Sequence, residues 1–351
     1  MRLGVSLGYW HSASDLPNLL AVVKEAEQLG YDVVWSAEAY GSDAATSLAW
    51  LAGQTNRIGL GSGVFQIPGR TPAMTAMTAG SLDALSGGRF RLGLGVSGPQ
   101  VSEGWHGVRF DRPLARTREY VHVVRTALDH RPVSFQGEFH QLPLPDSAGK
   151  TLKLGVRPAR PKVPIYLAAI GPRNLELAGE VADGWLGVFF APQFADELLG
   201  RLRAGRARAQ RDWDGFDVTV TTPVVLGEDV SACADLVRGY AALYLGGMGS
   251  RKQNFYNQLA TRMGYGEQAR AVQEHFLAKR HQAAGAAVPE EFIDATSLLG
   301  PADRIAEGLR RHAEAGVTTL SAIVFAENRE AQLNTLRVLA EAAYQTGVIN
   351  Q

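Results

Sequence analysis

The chain has 351 residues and a single cysteine, Cys233. No intrachain disulfide can form, and no Cys/His pairing at ligand spacing points to zinc. A lone thiol fits a reducing, cytoplasmic setting. Net charge is missing too, because 35 Lys and Arg balance 35 Asp and Glu. Nucleic-acid binders need a basic footprint, so DNA and RNA are set aside as partners. No apolar run reaches about 18 residues, which argues against a membrane span. The opening Met1–Gly8 lacks the apolar core and cleavage site of a signal peptide and reads as a strand. Hydrophobic residues make up 46%, too many for a disordered or collagen-like chain.

What the chain has in excess is glycine, 39 residues, against ~7% in ordinary domains. The glycines cluster at the ends of apolar runs. Those runs read as strands at Leu3–Gly8, Val33–Ala37, Ile58–Phe65, Phe90–Val96, Pro164–Ala169, Gly184–Phe189, Val218–Leu226 and Thr319–Phe325. They are rich in Val, Ile and Leu without strict alternation, as expected of strands buried on both faces. Helical patterns lie between them. One runs from about Asp15 to Leu29 and stops at Gly30. A second has Thr71 as N-cap and Pro72 at its first position, and carries Met74, Met77, Leu82 and Leu85. A third starts near Pro113 and carries Tyr120, Val121, Val124 and Leu128. Eight strands alternating with helices predict an α/β fold, a (β/α)8 TIM barrel. Residues 1–351 read as one domain, with insertions at about 129–162, an excursion over the barrel, and 246–300, largely helical.

Several motifs fail on their context. Gly93-Leu94-Gly95-Val96-Ser97-Gly98 spells GxGxxG, but no helix opens inside it and none is evident over Pro99–Trp105, so a Rossmann site is rejected. Gly246-Gly247-Met248-Gly249-Ser250-Arg251-Lys252 lacks the Gly-Lys-Ser/Thr ending of a phosphate loop. Ser97 does not stand in a GxSxG elbow. The run Arg201, Arg203, Arg206, Arg208 and Arg211 reads as a solvated helix face.

Strand ends are more informative, because barrel enzymes place their chemistry at the C-terminal ends of strands. Here they read Tyr9-Trp10-His11, Ala37-Glu38-Ala39-Tyr40, Gly63-Val64-Phe65-Gln66, Val96-Ser97-Gly98, Ala168-Ala169-Ile170-Gly171-Pro172 and Phe189-Phe190. Small residues mix with aromatics and few charges, which suits a large planar cofactor better than a metal. Trp10, His11, Tyr40, Trp105 and Phe190 are candidate walls of a substrate pocket. The Ala168–Pro172 turn opens a helix whose N-terminus favours a phosphate.

These stretches resemble the bacterial-luciferase-like superfamily, in its branch that uses the deazaflavin coenzyme F420. The resemblance rests on Trp35-Ser36-Ala37-Glu38, on Gly61-Ser62-Gly63-Val64 with Arg70-Thr71-Pro72-Ala73, on Leu82–Arg89 with Leu92–Gly95, and on Ala168–Pro172 with Ala182-Asp183-Gly184-Trp185. It implies a luciferase-like barrel, usually a homodimer, with the deazaflavin in the C-terminal mouth. It also implies a non-proline cis peptide at Gly63–Val64, backing the ring, with Gln66 nearby. Gly95, Ser97 and Gly98 would line the cofactor. Ala168, Ala169, Ile170, Gly171, Pro172, Arg173 and Asn174 would hold its phosphate-bearing chain.

One departure matters. Alcohol-oxidising members follow their second-strand Asp with His, a candidate base, and here the pair is Glu38-Ala39. The expected reaction is therefore reduction of a small organic substrate (C=C, C=N or C=O) by the reduced coenzyme, with Glu38 as first candidate for the proton donor. An FMN-dependent monooxygenase on the same fold is the alternative, and a non-catalytic flavin- or deazaflavin-binding protein is a third reading. No metal is expected.

Overall fold

A computed structural model describes residues 1–251 and 253–349. Eight parallel strands close into a barrel: β1 (Arg2–Ser6), β2 (Val33–Ser36), β3 (Gly59–Ser62), β4 (Phe90–Gly95), β5 (Ile165–Ala168), β6 (Gly184–Val188), β7 (Asp217–Leu226) and β8 (Thr319–Val324). Closure is direct, since β8 pairs with β1 from Arg2↔Thr319 to Val5↔Ala322. Every strand matches a run of the sequence, because such runs bury both faces only between an inner plug and an outer ring of helices.

The plug consists of Val33, Trp35, Tyr166 and Leu186, with Val64 and Ala168 packed on it and only partly covered. Trp35 and Tyr166 meet edge to face, their ring centroids 5.2 Å apart. Below them, at the N-terminal end, the Tyr166 hydroxyl donates to Asp217 at 2.8 Å, and Thr318 and Thr319 donate to the other oxygen of that carboxylate. The plug is thus anchored at its base, and its upper layer faces the C-terminal mouth.

The helices begin where the caps predict. Pro72–Leu85 is capped by Thr71, whose Oγ1 accepts from the Met74 N–H at 3.1 Å. Pro113–Leu128 buries Tyr120, Val121, Val124 and Leu128. In Pro72–Leu85, however, the buried face is Thr75, Ala76, Ala79, Leu82 and Asp83, while Met74, Met77 and Leu85 are exposed.

Both long intervals take shape. Residues 129–162 carry a small hairpin, Phe135–Gln136 with Gln141–Leu142. They run along the outer helices: Leu154 and Val156 pack by Gly80, and the Ala159 and Arg160 N–H groups bond to Asp83. Residues 246–300 are largely helical, with helices Phe255–Ala260, Gly266–Leu277, His281–Ala286 and Glu290–Ala295. They end in a short strand absent from the sequence reading, Leu298–Gly300, which pairs with the end of β7. A six-residue helix also forms at Pro99–Gly104, starting only after the GxGxxG motif closes. Lys252, the last residue of the rejected phosphate loop, lies outside the described residues. No helix among the described residues is long and apolar enough to cross a membrane.

Most of the arginine run is solvated, with Arg201, Arg203 and Arg208 exposed. Arg201 and Arg208 pair with Glu176, Arg211 pairs with Asp183, and Arg206 is buried against Phe216.

Candidate active site

The ends of β2 to β5 form one half of the mouth. The Gly63–Val64 peptide is cis, at the position the resemblance implies. Val64 leans over the end of β4: a Cβ at Gly95 would lie 2.5 Å from Val64 Cγ2. Register places Leu94 beside Leu167, so Gly95 neighbours Ala168. Val64, Gly95 and Ala168 therefore make a floor of small groups over the Trp35–Tyr166 plug.

Two neighbours leave that floor open. A Cβ on Gly98 would meet only the tip of the Gln100 side chain, and one on Gly171 would meet nothing within 4 Å. Between floor and rim, Ser97 adopts a φ of 63°, a left-handed conformation uncommon for a residue with a side chain. Such outliers concentrate where a ligand is held.

After β5 the chain turns through Ala169 and Ile170 into the helix Pro172–Val181. Gly171 is its N-cap and no side chain caps it. Trp185 Nε1 donates to the Ala169 carbonyl at 2.9 Å, and Asn174 Nδ2 donates to the Ala168 carbonyl at 3.4 Å. Asn174 Oδ1 is buried with no partner among the described residues. Arg173 is exposed. A group missed by the sequence reading completes the turn: Arg262, from the 246–300 insertion, donates to the Ile170 carbonyl at 3.1 Å and pairs with Glu197 at 3.0 Å. Nothing in the local sequence around Arg262 marks it, since the contact spans 92 residues.

Glu38 stands at the end of β2. Its Oε1 accepts from the Gln66 N–H and Arg70 Nε, each at 3.1 Å. Its Oε2 accepts from the Ala44 N–H at 3.2 Å and Arg70 Nη2 at 3.1 Å. Gln66 Nε2 also donates to the Glu38 carbonyl at 2.9 Å, leaving Gln66 Oε1 buried and unpartnered among the described residues. Arg70 further pairs with Asp43, the N-cap of helix Ala44–Ala52, and its guanidinium lies 4.6 Å from the Phe65 ring centroid. Burial opposes the Arg70 charge, but Glu38 and Asp43 outweigh it and push the guanidinium pKa up.

Beside this knot opens a cleft of about 590 Å³. Glu38, Tyr40, Asp43, Arg70, Trp105 and His106 are among its walls. Tyr40 and Trp105, both expected as pocket walls, are exposed at 64% and 67%. His106 buries Nε2 without a partner among the described residues.

The other expected walls lie elsewhere. Trp10 is half-buried and pinned to the neighbouring helix, its Nε1 donating to Ser47 Oγ at 2.9 Å. His11 is exposed, and its backbone N–H bonds to Asp15. Phe190 is buried away from the mouth, between Trp185 and His312. Its neighbour Phe189 is buried as well, with a φ of 51° and its ring packed on Tyr240, Tyr244 and Tyr256.

The sequence model of the luciferase-like monooxygenase family matches residues 1–319. The chain belongs to that family. It is 42% identical over 327 residues to a Mycobacterium tuberculosis protein whose assigned name places it among coenzyme F420-dependent oxidoreductases, covering 91% of this chain and 94% of that one. It is 29% identical over 306 residues to a 5,10-methylenetetrahydromethanopterin reductase of Archaeoglobus fulgidus, covering 86% and 87%. Among solved structures, the coenzyme F420-dependent tetrahydromethanopterin reductase of Methanopyrus kandleri superposes with a TM-score of 0.81 at 22% identity, over 97% of each chain. That likeness bears on the fold, a luciferase-like (β/α)8 barrel.

Proposed function

We propose that this protein is a coenzyme F420-dependent oxidoreductase that uses the reduced deazaflavin to reduce an unsaturated organic substrate. The observation that carries the reading is the floor of Val64, Gly95 and Ala168 over the indole plug. It is flat, apolar and built of small groups, and it fits a planar tricyclic ring. The relative whose name places it among coenzyme F420-dependent oxidoreductases supports the choice of coenzyme.

In this reading Gly63, Val64, Gly95, Ser97 and Gly98 back and edge the ring. Gln66 presents its unpartnered Oε1 as an acceptor for a ring N–H. Ala168, Ala169, Ile170 and Gly171 leave backbone open to the ribityl and phosphate chain. The uncapped N–H groups of Arg173 and Asn174, after Pro172, suit a phosphate, and Arg262 holds the turn in place. The bound coenzyme supplies the hydride; the protein orients the two partners and excludes water. Glu38 borders the pocket with Tyr40 and Trp105. Because its four N–H contacts occupy both oxygens, its part is to fix the β2–β3 side of the mouth through Arg70.

The exposed Met74, Met77 and Leu85, at helical spacing on one face, support pairing of two copies through helix Pro72–Leu85. A cytoplasmic setting suits a chain whose only thiol is buried.

Titration of the purified protein with F420 and with FMN, followed by fluorescence, tests the reading. Micromolar or tighter F420 binding is expected, together with oxidation of reduced F420 by at least one member of a panel of enones, imines and ketones. Tight FMN binding with no F420 binding overturns it.

A further inference from the structure

The cleft beside the Glu38–Arg70 knot adjoins the cofactor floor. Gln66 bridges the two: its N–H bonds to Glu38, and it pairs in register with Gly95. At about 590 Å³ the cleft has the size of a pocket for a small organic molecule. At one end the His106 ring lies on Gly69, where a Cβ would come within 2.9 Å of Cε1. Tyr40 comes from the loop after β2, Trp105 follows helix Pro99–Gly104, and Met74 stands in the first turn of Pro72–Leu85. All three line this one cleft and all three are exposed. Two large rings and a thioether left in water around a single cavity offer the surface that a flat apolar ligand covers.

The polar groups of the cleft divide by type. Its carboxylate acceptors are in use. Each Glu38 oxygen accepts from two N–H groups. Asp43 Oδ2 accepts from the N–H and the hydroxyl of Thr46, both at 2.6 Å, and Oδ1 accepts from Arg70. Donors, in contrast, are to spare. A guanidinium carries five N–H donors, and only Nε and Nη2 of Arg70 are engaged. Nη1 donates to none of the described residues and is not sealed inside the protein. Spare donors beside saturated carboxylates select a ligand that brings an acceptor. Charge narrows the choice further. Glu38 and Asp43 already bracket the guanidinium, so no net positive charge is left to hold a carboxylate or a phosphate.

We propose that this cleft takes the organic substrate as a neutral, planar conjugated ring carrying a carbonyl group, with the carbonyl oxygen on Arg70 Nη1 and the ring against Tyr40 and Trp105. That the bound molecule is reduced rests on the F420-dependent reading; that it binds does not. In an α,β-unsaturated ketone, hydride delivered from the reduced coenzyme forms a C–H bond at the β-carbon and the C=C bond breaks. Negative charge collects on the carbonyl oxygen, where the two Nη1 N–H groups meet it. A proton from water then forms the C–H bond at the α-carbon, and the coenzyme leaves oxidised by two electrons.

The test uses two probes with one ring system, 2-acetylnaphthalene, a neutral ketone, and 2-naphthoate, an anion. Each is equilibrated by dialysis against the coenzyme-free full chain and read by absorbance. Wild type should bind the ketone at least tenfold more tightly than the carboxylate. Failure to bind the ketone, or equal or tighter binding of the carboxylate, overturns the proposal. Trp105→Ala, which truncates an exposed side chain, should weaken ketone binding at least tenfold, and Tyr344→Ala, on the last helix, should not change it. Unchanged binding by Trp105→Ala overturns the placement of the ring. Arg70→Lys keeps a charge toward Glu38 and Asp43 but removes the fork, and should bind the ketone at least fivefold more weakly. Ketone binding equal to wild type overturns the role of Nη1. If Arg70→Lys does not fold, the ketone-to-carboxylate ratio of wild type and Trp105→Ala decide. F420 titration of the same samples separates the two readings. Trp105→Ala should keep F420 affinity within twofold. A wild type that binds the ketone and no F420 sinks the coenzyme reading and leaves the cleft; one that binds F420 and no ketone does the reverse.

Discussion

A Cβ on Gly61 would lie 2.2 Å from Cε3 of the Trp35 indole. The indole fills the barrel under the mouth and supports Val64 and Ala168. Its position therefore depends on the absence of a side chain on the neighbouring strand. Gly61→Ala should destabilise the protein by about 2 kcal/mol, the usual scale of overpacking, read as a lower urea midpoint. Adding Trp35→Phe should recover part of the loss.

Gly95 has the same relationship to Val64 one layer higher. Gly95→Ala should displace the Val64 side chain, with a Cβ only 2.5 Å from its Cγ2. F420 affinity is expected to fall at least tenfold with little change in melting temperature. The double variant Gly95→Ala with Val64→Ala should restore part of the affinity in the same fluorescence titration.

Glu38→Gln removes the anion that Arg70 grips with two N–H groups. The loss should be about 2 kcal/mol, the scale of hydrogen bonds to charged groups, measured by chemical denaturation. If Glu38 acts only as an anchor, the pH dependence of kcat should keep its shape.

His312 is 2% exposed and donates from Nδ1 to the Gly308 carbonyl at 2.8 Å. Burial holds its pKa down at about 4, against 6.5 when free. Between those values the unfolded chain binds the extra proton and the folded chain does not. Stability should therefore fall as the pH drops from 6.5 to 4, by roughly 3 kcal/mol from this group, and level off below 4. His312→Leu should flatten that part of the urea midpoint–pH curve.

Met77 is 52% exposed on the same helix face as Met74 and Leu85. Met77→Glu places a charge in the proposed contact between copies. Sedimentation velocity should show a dimer for wild type and a monomer for the variant, with an unchanged circular dichroism spectrum.

Much of the fold is legible in the sequence. Runs of Val, Ile and Leu, separated by capped helices, mark strands covered on both sides, and all eight barrel strands lie within or beside those runs. The three-residue strand Leu298–Gly300 is too short to carry a pattern and exists because the end of β7 extends beyond its barrel neighbours. The exposed face of Pro72–Leu85 misleads for another reason: apolar spacing shows that a face exists, and only the packed neighbours show whether the barrel buries it.

The glycines divide along the same line. By itself the sequence placed them at strand ends and matched those ends to a cofactor cleft, because backbone-exposing residues are a local property. Tertiary structure decided which of them serve packing. Gly61 makes room for Trp35 and Gly95 for Val64, whereas Gly98 and Gly171 remain open. The aromatic cluster around Phe189 is the extreme case. Its members come from residues 189, 240, 244 and 256 and meet only because the barrel closes and the insertion folds back onto it, a long-range relationship that no local spacing encodes.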